Sequence, residues 1–219
     1  MSLLDPYLAL CIDTLAPQSN STNQHLLSRI NSPNTPSDKH FWCEDFPLYS
    51  GWSDGNVSCL IHEFIKYVFT DHRLFHLNTG VKYYEFWTNF SHADKIDFCF
   101  GQKWSHHPHF DKDEELFRYK NEYSFPKVGI VFYGCKSIDS VTGGDFYYWP
   151  NLTYKDVDFE SESISDEHEI IKPKYNRLII LDPSKLHGVS KVLSGKRESI
   201  AVNLWEKEPH NNEDFSKED

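Results

Sequence analysis

From about residue 80 to residue 205 the apolar side chains recur at every second position, and that period leaves few folds open. A period of two sends alternate side chains to opposite faces of an extended chain, so each such run has one face to bury against another layer. Candidate strands cover residues 81–89, 96–100, 128–133, 145–149, 168–171, 177–181, 187–192 and 198–205, about eight in all. One secure helix stands beside them: Val57, Leu60, Ile61, Phe64 and Val68 fall at helical spacing behind the possible caps Ser53, Asp54 and Asn56. Many strands with so little helix argue against alternating βαβ units. They predict a mainly β, mostly antiparallel jelly roll, a cupin-like double-stranded β-helix with a few flanking helices.

The remaining organisation is simpler. Residues 1–16 predict a short helix through Leu8, Leu10, Ile12 and Leu15, ending at Pro17, and the Ser-, Asn-, Thr- and Pro-rich residues 17–40 read as a connector or a lid. The length of 219 residues suits one domain, with 1–56 as a helix and loop-rich extension and 80–206 as the jelly-roll core. Residues 155–169 are acidic and polar, a solvated loop or a flap over a site. A net charge of −11 repels a phosphate backbone, so no nucleic-acid partner is expected. Five scattered cysteines without paired spacing point to free thiols and a cytoplasmic location, and no apolar run approaches membrane-spanning length. Oligomeric state is not legible.

The residues that carry chemistry lie in Trp104-Ser105-His106-His107-Pro108-His109-Phe110-Asp111. In an extended segment His109 and Asp111 aim an imidazole and a carboxylate into one space. A later histidine, His187, follows the apolar run 177–181, which is able to return it beside that pair. Two imidazoles and one carboxylate form a facial triad that leaves about three positions of an octahedral iron(II) open. His-x-Asp alone is weak in a chain with 12 histidines. The plain alternative is a buried histidine satisfied by a carboxylate.

Arg197 adds a second constraint. Leu193-Ser194-Gly195 reads as a three-residue hairpin loop with glycine in the left-handed position, which sets Arg197 opposite Lys191, four residues from His187 on the same face. Four residues of strand span roughly 13 Å, a gap that a five-carbon dicarboxylate and an arginine arm can bridge. The planar guanidinium would clamp the far carboxylate with two parallel hydrogen bonds, and Ser199 would add a hydroxyl. A surface ion pair with a flanking residue such as Glu198 is the bland reading of Arg197.

With His109-Phe110-Asp111, Gly143-Gly144-Asp145 before an aromatic strand, Arg177 to Leu181 leading to His187-Gly188-Val189, and Arg197-Glu198-Ser199 in this order, the last half of the chain resembles the iron(II)- and 2-oxoglutarate-dependent oxygenases of the prolyl-4-hydroxylase-like branch. The resemblance implies a dioxygenase with iron(II) on His109, Asp111 and His187, 2-oxoglutarate reaching Arg197 and Ser199, and dioxygen as co-reactant. It also suggests that the Tyr133 hydroxyl meets the same cosubstrate carboxylate, against a plain core role. Asp111 stands where related halogenases carry a small residue, which favours hydroxylation or a related C–H oxidation. Trp104, His106, Tyr147 and Trp205 are substrate-pocket candidates by position. The expected substrate is a small molecule such as an amino acid. The rivals are a peptidyl residue such as proline on a protein partner, a non-catalytic jelly roll, and a zinc site recruiting His106 or His107, although zinc leaves Arg197 without a role.

Overall fold

The structure, a computed structural model, describes residues 10–13, 80–93, 103–134, 136–157 and 167–210. The helix expected over 57–69, the strand expected over 96–100 and the connector 17–40 lie outside the described residues. The elements in chain order are β1 (Leu10–Asp13), β2 (Tyr83–His92), β3 (Trp104–His109), α1 (Glu114–Lys120), β4 (Val128–Tyr133), a 3-10 turn (Lys136–Ser140), β5 (Thr142–Gly143), β6 (Phe146–Trp149), β7 (Glu169–Ile171), β8 (Arg177–Leu181), β9 (Leu186–Ser190), β10 (Val192–Ser194) and β11 (Lys196–Trp205).

Two antiparallel sheets form the body, in the strand orders β1-β8-β4-β11-β2 and β3-β9-β6-β7, with β10 and β5 as a small third pair. The alternation read from the sequence decides which side chains meet between the two larger sheets. Tyr133, Ile179 and Leu181 from the five-stranded sheet pack with Phe146, Tyr148, Ile171 and Val189 from the four-stranded one. The other face of the five-stranded sheet is apolar too. Ile200, Val202 and Leu204 line up with Phe132, Ile130 and Val128, and all six are completely buried or within 1% of it. A sheet buried on both faces reads as continuous apolar sequence, as Leu178 to Leu181 does. Fully burying a side chain of that size stabilises by about 1.5–3 kcal/mol, so this double-faced sheet is the most costly part of the fold to disturb. No helix among the described residues is long and apolar enough to cross a membrane.

Three expectations are corrected. Residues 10–13 form strand β1, not part of a helix, and pair antiparallel with Arg177 to Ile180. Leu10 and Ile12 satisfy both periods in so short a window, and the free edge of β8 decides between them. Gly195 does turn at φ +81, but the strands on either side of it diverge instead of forming a hairpin. β10 pairs with β5, while β11 pairs with β2 and β4, so Arg197 sits opposite Ser91 and not Lys191. Lys112, Asp113 and Glu114, which in the sequence read most simply as a charged turn after the metal-ligand segment, instead lead into a seven-residue helix, α1. Asp113 caps it by accepting from the Leu116 N–H at 2.9 Å, Glu114 and Glu115 occupy its positive end, and Asn121 closes it at φ 55.

Candidate metal centre

β3 and β9 are antiparallel neighbours, and their register sets His109 directly opposite His187. The chain leaves β3 at Phe110, which turns away into a cluster with Trp149 and Leu186, and Asp111 turns back toward the histidines. The Asp111 N–H donates to the Pro183 carbonyl at 3.1 Å, which pins this loop to the turn before His187. His109 Nε2 lies 3.4 Å from Asp111 Oδ1, His187 Nε2 lies 3.6 Å from Asp111 Oδ2, and one potential ligand atom from each residue falls within 4.8 Å of the others. The two imidazole centroids are 4.6 Å apart. The sequence-predicted trio is thus brought together.

The protons on the rings are placed by the backbone. His109 Nδ1 is 2.7 Å from the His107 carbonyl, and His187 Nδ1 is 2.8 Å from the Lys185 carbonyl. A carbonyl only accepts, so each Nδ1 carries a hydrogen and each Nε2 is the ring atom turned toward Asp111, where a metal ion would take its lone pair in place of a proton. Burial would raise the Asp111 carboxyl pKa, but the charge of His187 and hydrogen bonds from both histidines outweigh it and hold the group well below the usual carboxylate range. At His109 desolvation acts downward, yet the hydrogen bond and charge of Asp111 win, so its pKa is raised. Two imidazole Nε2 atoms beside a firmly ionised carboxylate suit a divalent first-row ion, which would take the place of the ring protons.

Arg197 faces this cluster from the opposite sheet. It is 1% exposed and donates from Nε to the Gly144 carbonyl at 3.0 Å, from Nη1 to Ser199 Oγ at 3.2 Å and from Nη2 to the Tyr133 hydroxyl at 2.7 Å. Its guanidinium also stands 5.1 Å from the Tyr133 ring centre. Among the described residues no carboxylate pairs with it. A guanidinium buried without a counter-charge is expensive and calls for an anion. Gly144 makes the position possible: it turns at φ +68, and a Cβ there would come within 2.9 Å of Arg197 Cδ.

A cavity of about 120 Å³ joins the two centres and is lined by His109, Asp111, His187, His106 and Arg197, with Ala201 and Asn203 beside them. His106 Nε2 is buried with no hydrogen-bond partner. Burial first, then the charge of Arg197, push the His106 pKa down to about 4, so the ring is neutral at neutral pH. The donor set, the unmatched guanidinium and the orphaned imidazole nitrogen together fit a metal-bound dicarboxylate.

The other expected pocket residues divide. Trp205 lines a second cavity of about 240 Å³ that shares His109 and Asp111 with the first. Trp104 and Tyr147 line neither cavity. They pack edge to face, with ring centres 5.2 Å apart, in the Phe110–Trp149 cluster on the other side of the four-stranded sheet. A simple alternation puts Trp104 and His106 on one face, but the β3–β9 register shifts between them, and that irregularity turns His106 inward and Trp104 outward. Glu85, missed in the sequence, lines the second cavity and accepts from Asn203 Nδ2 at 3.0 Å and Trp205 Nε1 at 3.3 Å. The available signal was a carboxylate interrupting the aromatic run Tyr83 to Trp87.

No family model and no curated protein matches the sequence. Among solved structures the chain is similar to an oxidoreductase of the 2OG-Fe(II) oxygenase family from Burkholderia pseudomallei, with a TM-score of 0.39 and 14% identity, over 68% of this chain and 58% of that one. It is similar to a Pseudomonas putida prolyl-4-hydroxylase at a TM-score of 0.48 and 8% identity, over 91% and 88% of the two chains. A viral collagen prolyl hydroxylase from Paramecium Bursaria Chlorella virus-1 is similar at 0.47 and 14%, over 89% and 87%.

Proposed function

We propose that this chain is an iron(II)- and 2-oxoglutarate-dependent oxygenase that oxidises a C–H bond of a small molecule. The observation that carries the reading is the buried Arg197 guanidinium, without a carboxylate partner among the described residues, on the same cavity as the His109, Asp111 and His187 triad. Iron held by that triad would supply activation of dioxygen coupled to decarboxylation of 2-oxoglutarate and oxidation of the substrate. The protein's own share is placement and charge. Arg197, with Tyr133 and Ser199 steering its Nη groups, would take the far carboxylate of the cosubstrate. His106, neutral and with Nε2 facing no protein partner, would meet its polar atoms from the β3 side. Leu181, Val131 and Phe146 on the cavity wall would keep bulk water out.

The small-molecule assignment is supported by the second cavity, which at about 240 Å³ meets the triad at His109 and Asp111. A zinc site would not account for Arg197. The test is formation of succinate from 2-oxoglutarate with added iron(II) and dioxygen. Asp111→Ala should abolish it while circular dichroism stays as in the parent protein, because Asp111 faces the cavity and not the packing layer. Near-normal turnover in that variant contradicts the reading.

A further inference from the structure

We propose that Asn203 reads the substrate, through a hydrogen bond that its Oδ1 accepts from an amide N–H or a hydroxyl carried beside the oxidised carbon. The inference rests on the oxygenase reading, which requires the oxidised compound to sit next to the triad.

Asn203 stands where the two cavities meet. It lines both of them, as do His109, Asp111 and Trp87. Six residues of β11 separate it from Arg197, roughly 20 Å of strand. A five-carbon dicarboxylate and the arginine arm together stop short of that, which leaves Asn203 to the substrate.

The amide is held one way round. Asn203 faces Glu85 across the β11–β2 register, and its Nδ2 donates to Glu85 Oε1 at 3.0 Å. A carboxylate oxygen accepts, so the nitrogen is the atom of the amide that meets it. Trp205 Nε1 donates to the same oxygen at 3.3 Å and helps to fix it. Glu85 has a further contact of its own and acts here only as the orienting acceptor.

Oδ1 is left on the other side. Asn203 is 2% exposed, yet its Oδ1 receives no hydrogen bond among the described residues and is not sealed in the core. It looks toward Gly129 on the neighbouring strand β4, where a Cβ would stand 3.5 Å from it. Gly129 lines the first cavity, and its missing side chain keeps the space over Oδ1 open. Water can serve this acceptor only until a substrate fills that space. From then on a compound without a donor leaves a buried carbonyl oxygen unpaired, and one that presents its own oxygen there meets a like dipole. A site of that kind rejects an analogue lacking the donor far more sharply than an apolar wall rejects a change of shape.

The experiment uses the full chain loaded with manganese(II) and 2-oxoglutarate without oxygen, and reads the proton relaxation of added compounds near the paramagnetic ion. The panel is built of pairs alike in shape that differ in one donor: primary amides against methyl ketones, alcohols against fluoroalkanes, and blocked tripeptides against depsipeptides with an ester in place of the central amide. The donor member of a pair should relax at concentrations at least about tenfold below the other. Asn203→Leu, close in shape and without the acceptor, should bring the members of each pair within about threefold, in variant protein that still takes up manganese and 2-oxoglutarate. A preference shown by the free amides and alcohols or by the tripeptides supports the proposal, and the arm that shows it tells whether the donor belongs to a small molecule or to a peptide backbone. No relaxation of any compound, equal relaxation within every pair, or a preference that survives in Asn203→Leu would overturn the proposal. The comparison within pairs needs only the parent protein, and it decides alone if the variant does not fold. Failure of manganese or 2-oxoglutarate to bind shows in the water relaxation before any panel compound is added, and that result sinks the oxygenase reading and this proposal with it.

Discussion

Replacing Arg197 by methionine separates a guanidinium kept for a ligand from one kept for the fold. In the protein without cosubstrate the side chain makes hydrogen bonds to Gly144, Ser199 and Tyr133 from a site only 1% exposed. Three such bonds contribute about 3 kcal/mol together. Burying the charge without a carboxylate costs several kcal/mol in the other direction, so the two terms largely offset. The melting temperature of the cosubstrate-free variant should therefore move by less than about 5 °C, since about 1 kcal/mol corresponds to about 2–4 °C for a chain of this size. Binding of 2-oxoglutarate should behave very differently. Removing one partner of a buried, doubly hydrogen-bonded ion pair costs about 3–5 kcal/mol, and at about 1.4 kcal/mol per factor of ten the affinity falls by roughly two to three and a half orders of magnitude. Anaerobic calorimetry with iron(II) present measures the affinity, and a thermal melt measures the stability. A variant that melts far lower yet binds 2-oxoglutarate within threefold of the parent refutes the reasoning, because Arg197 would then be a structural charge.

Two further outcomes follow from the same geometry. Protons compete with iron for His109, whose pKa in the metal-free protein is raised above the ordinary value by Asp111. A raised folded-state value means that the His109–Asp111 pair stabilises the metal-free protein below about pH 6.5 and loses that contribution as pH rises through the folded-state value. The gain in melting temperature on adding iron(II) should thus grow from pH 6 to pH 8, and an equal gain at both would contradict the pairing. Gly144→Ala forces a side chain onto φ +68 and to within 2.9 Å of Arg197 Cδ, so it should destabilise by about 1–3 kcal/mol and weaken 2-oxoglutarate binding together; a melt and a titration as in the parent would show the space to be free.

Period two made most of the strands legible, because a strand with one face on the core must alternate. The same rule brought out His109 and Asp111, two positions apart, and the inward pair Arg197 and Ser199. What it could not convey was which sheet each strand joins. Gly195 carries the left-handed turn of a hairpin, but β10 and β11 go to different sheets, so Arg197 reaches the triad from across the sandwich and not along one strand. The register shift at His106 is likewise set by the partner strand β9, and nothing in Trp104-Ser105-His106 itself separates the faces of Trp104 and His106. Helix α1 has no fully buried residue and hence no apolar stripe to betray it. Its signature was in the charges, with Asp113-Glu114-Glu115 at one end and Arg118 and Lys120 at the other.

The claim on which the account turns is that His109, Asp111 and His187 hold one iron(II) to which 2-oxoglutarate binds while Arg197 holds its other end. Anaerobic titration of the metal-free chain with iron(II) and then 2-oxoglutarate measures this through the visible charge-transfer absorption of the chelate. The account predicts a band that saturates at one iron per chain, fails to form in His187→Ala, and needs far more 2-oxoglutarate in Arg197→Met. Absence of the band in the parent protein, or a band that forms equally well in His187→Ala, would contradict it.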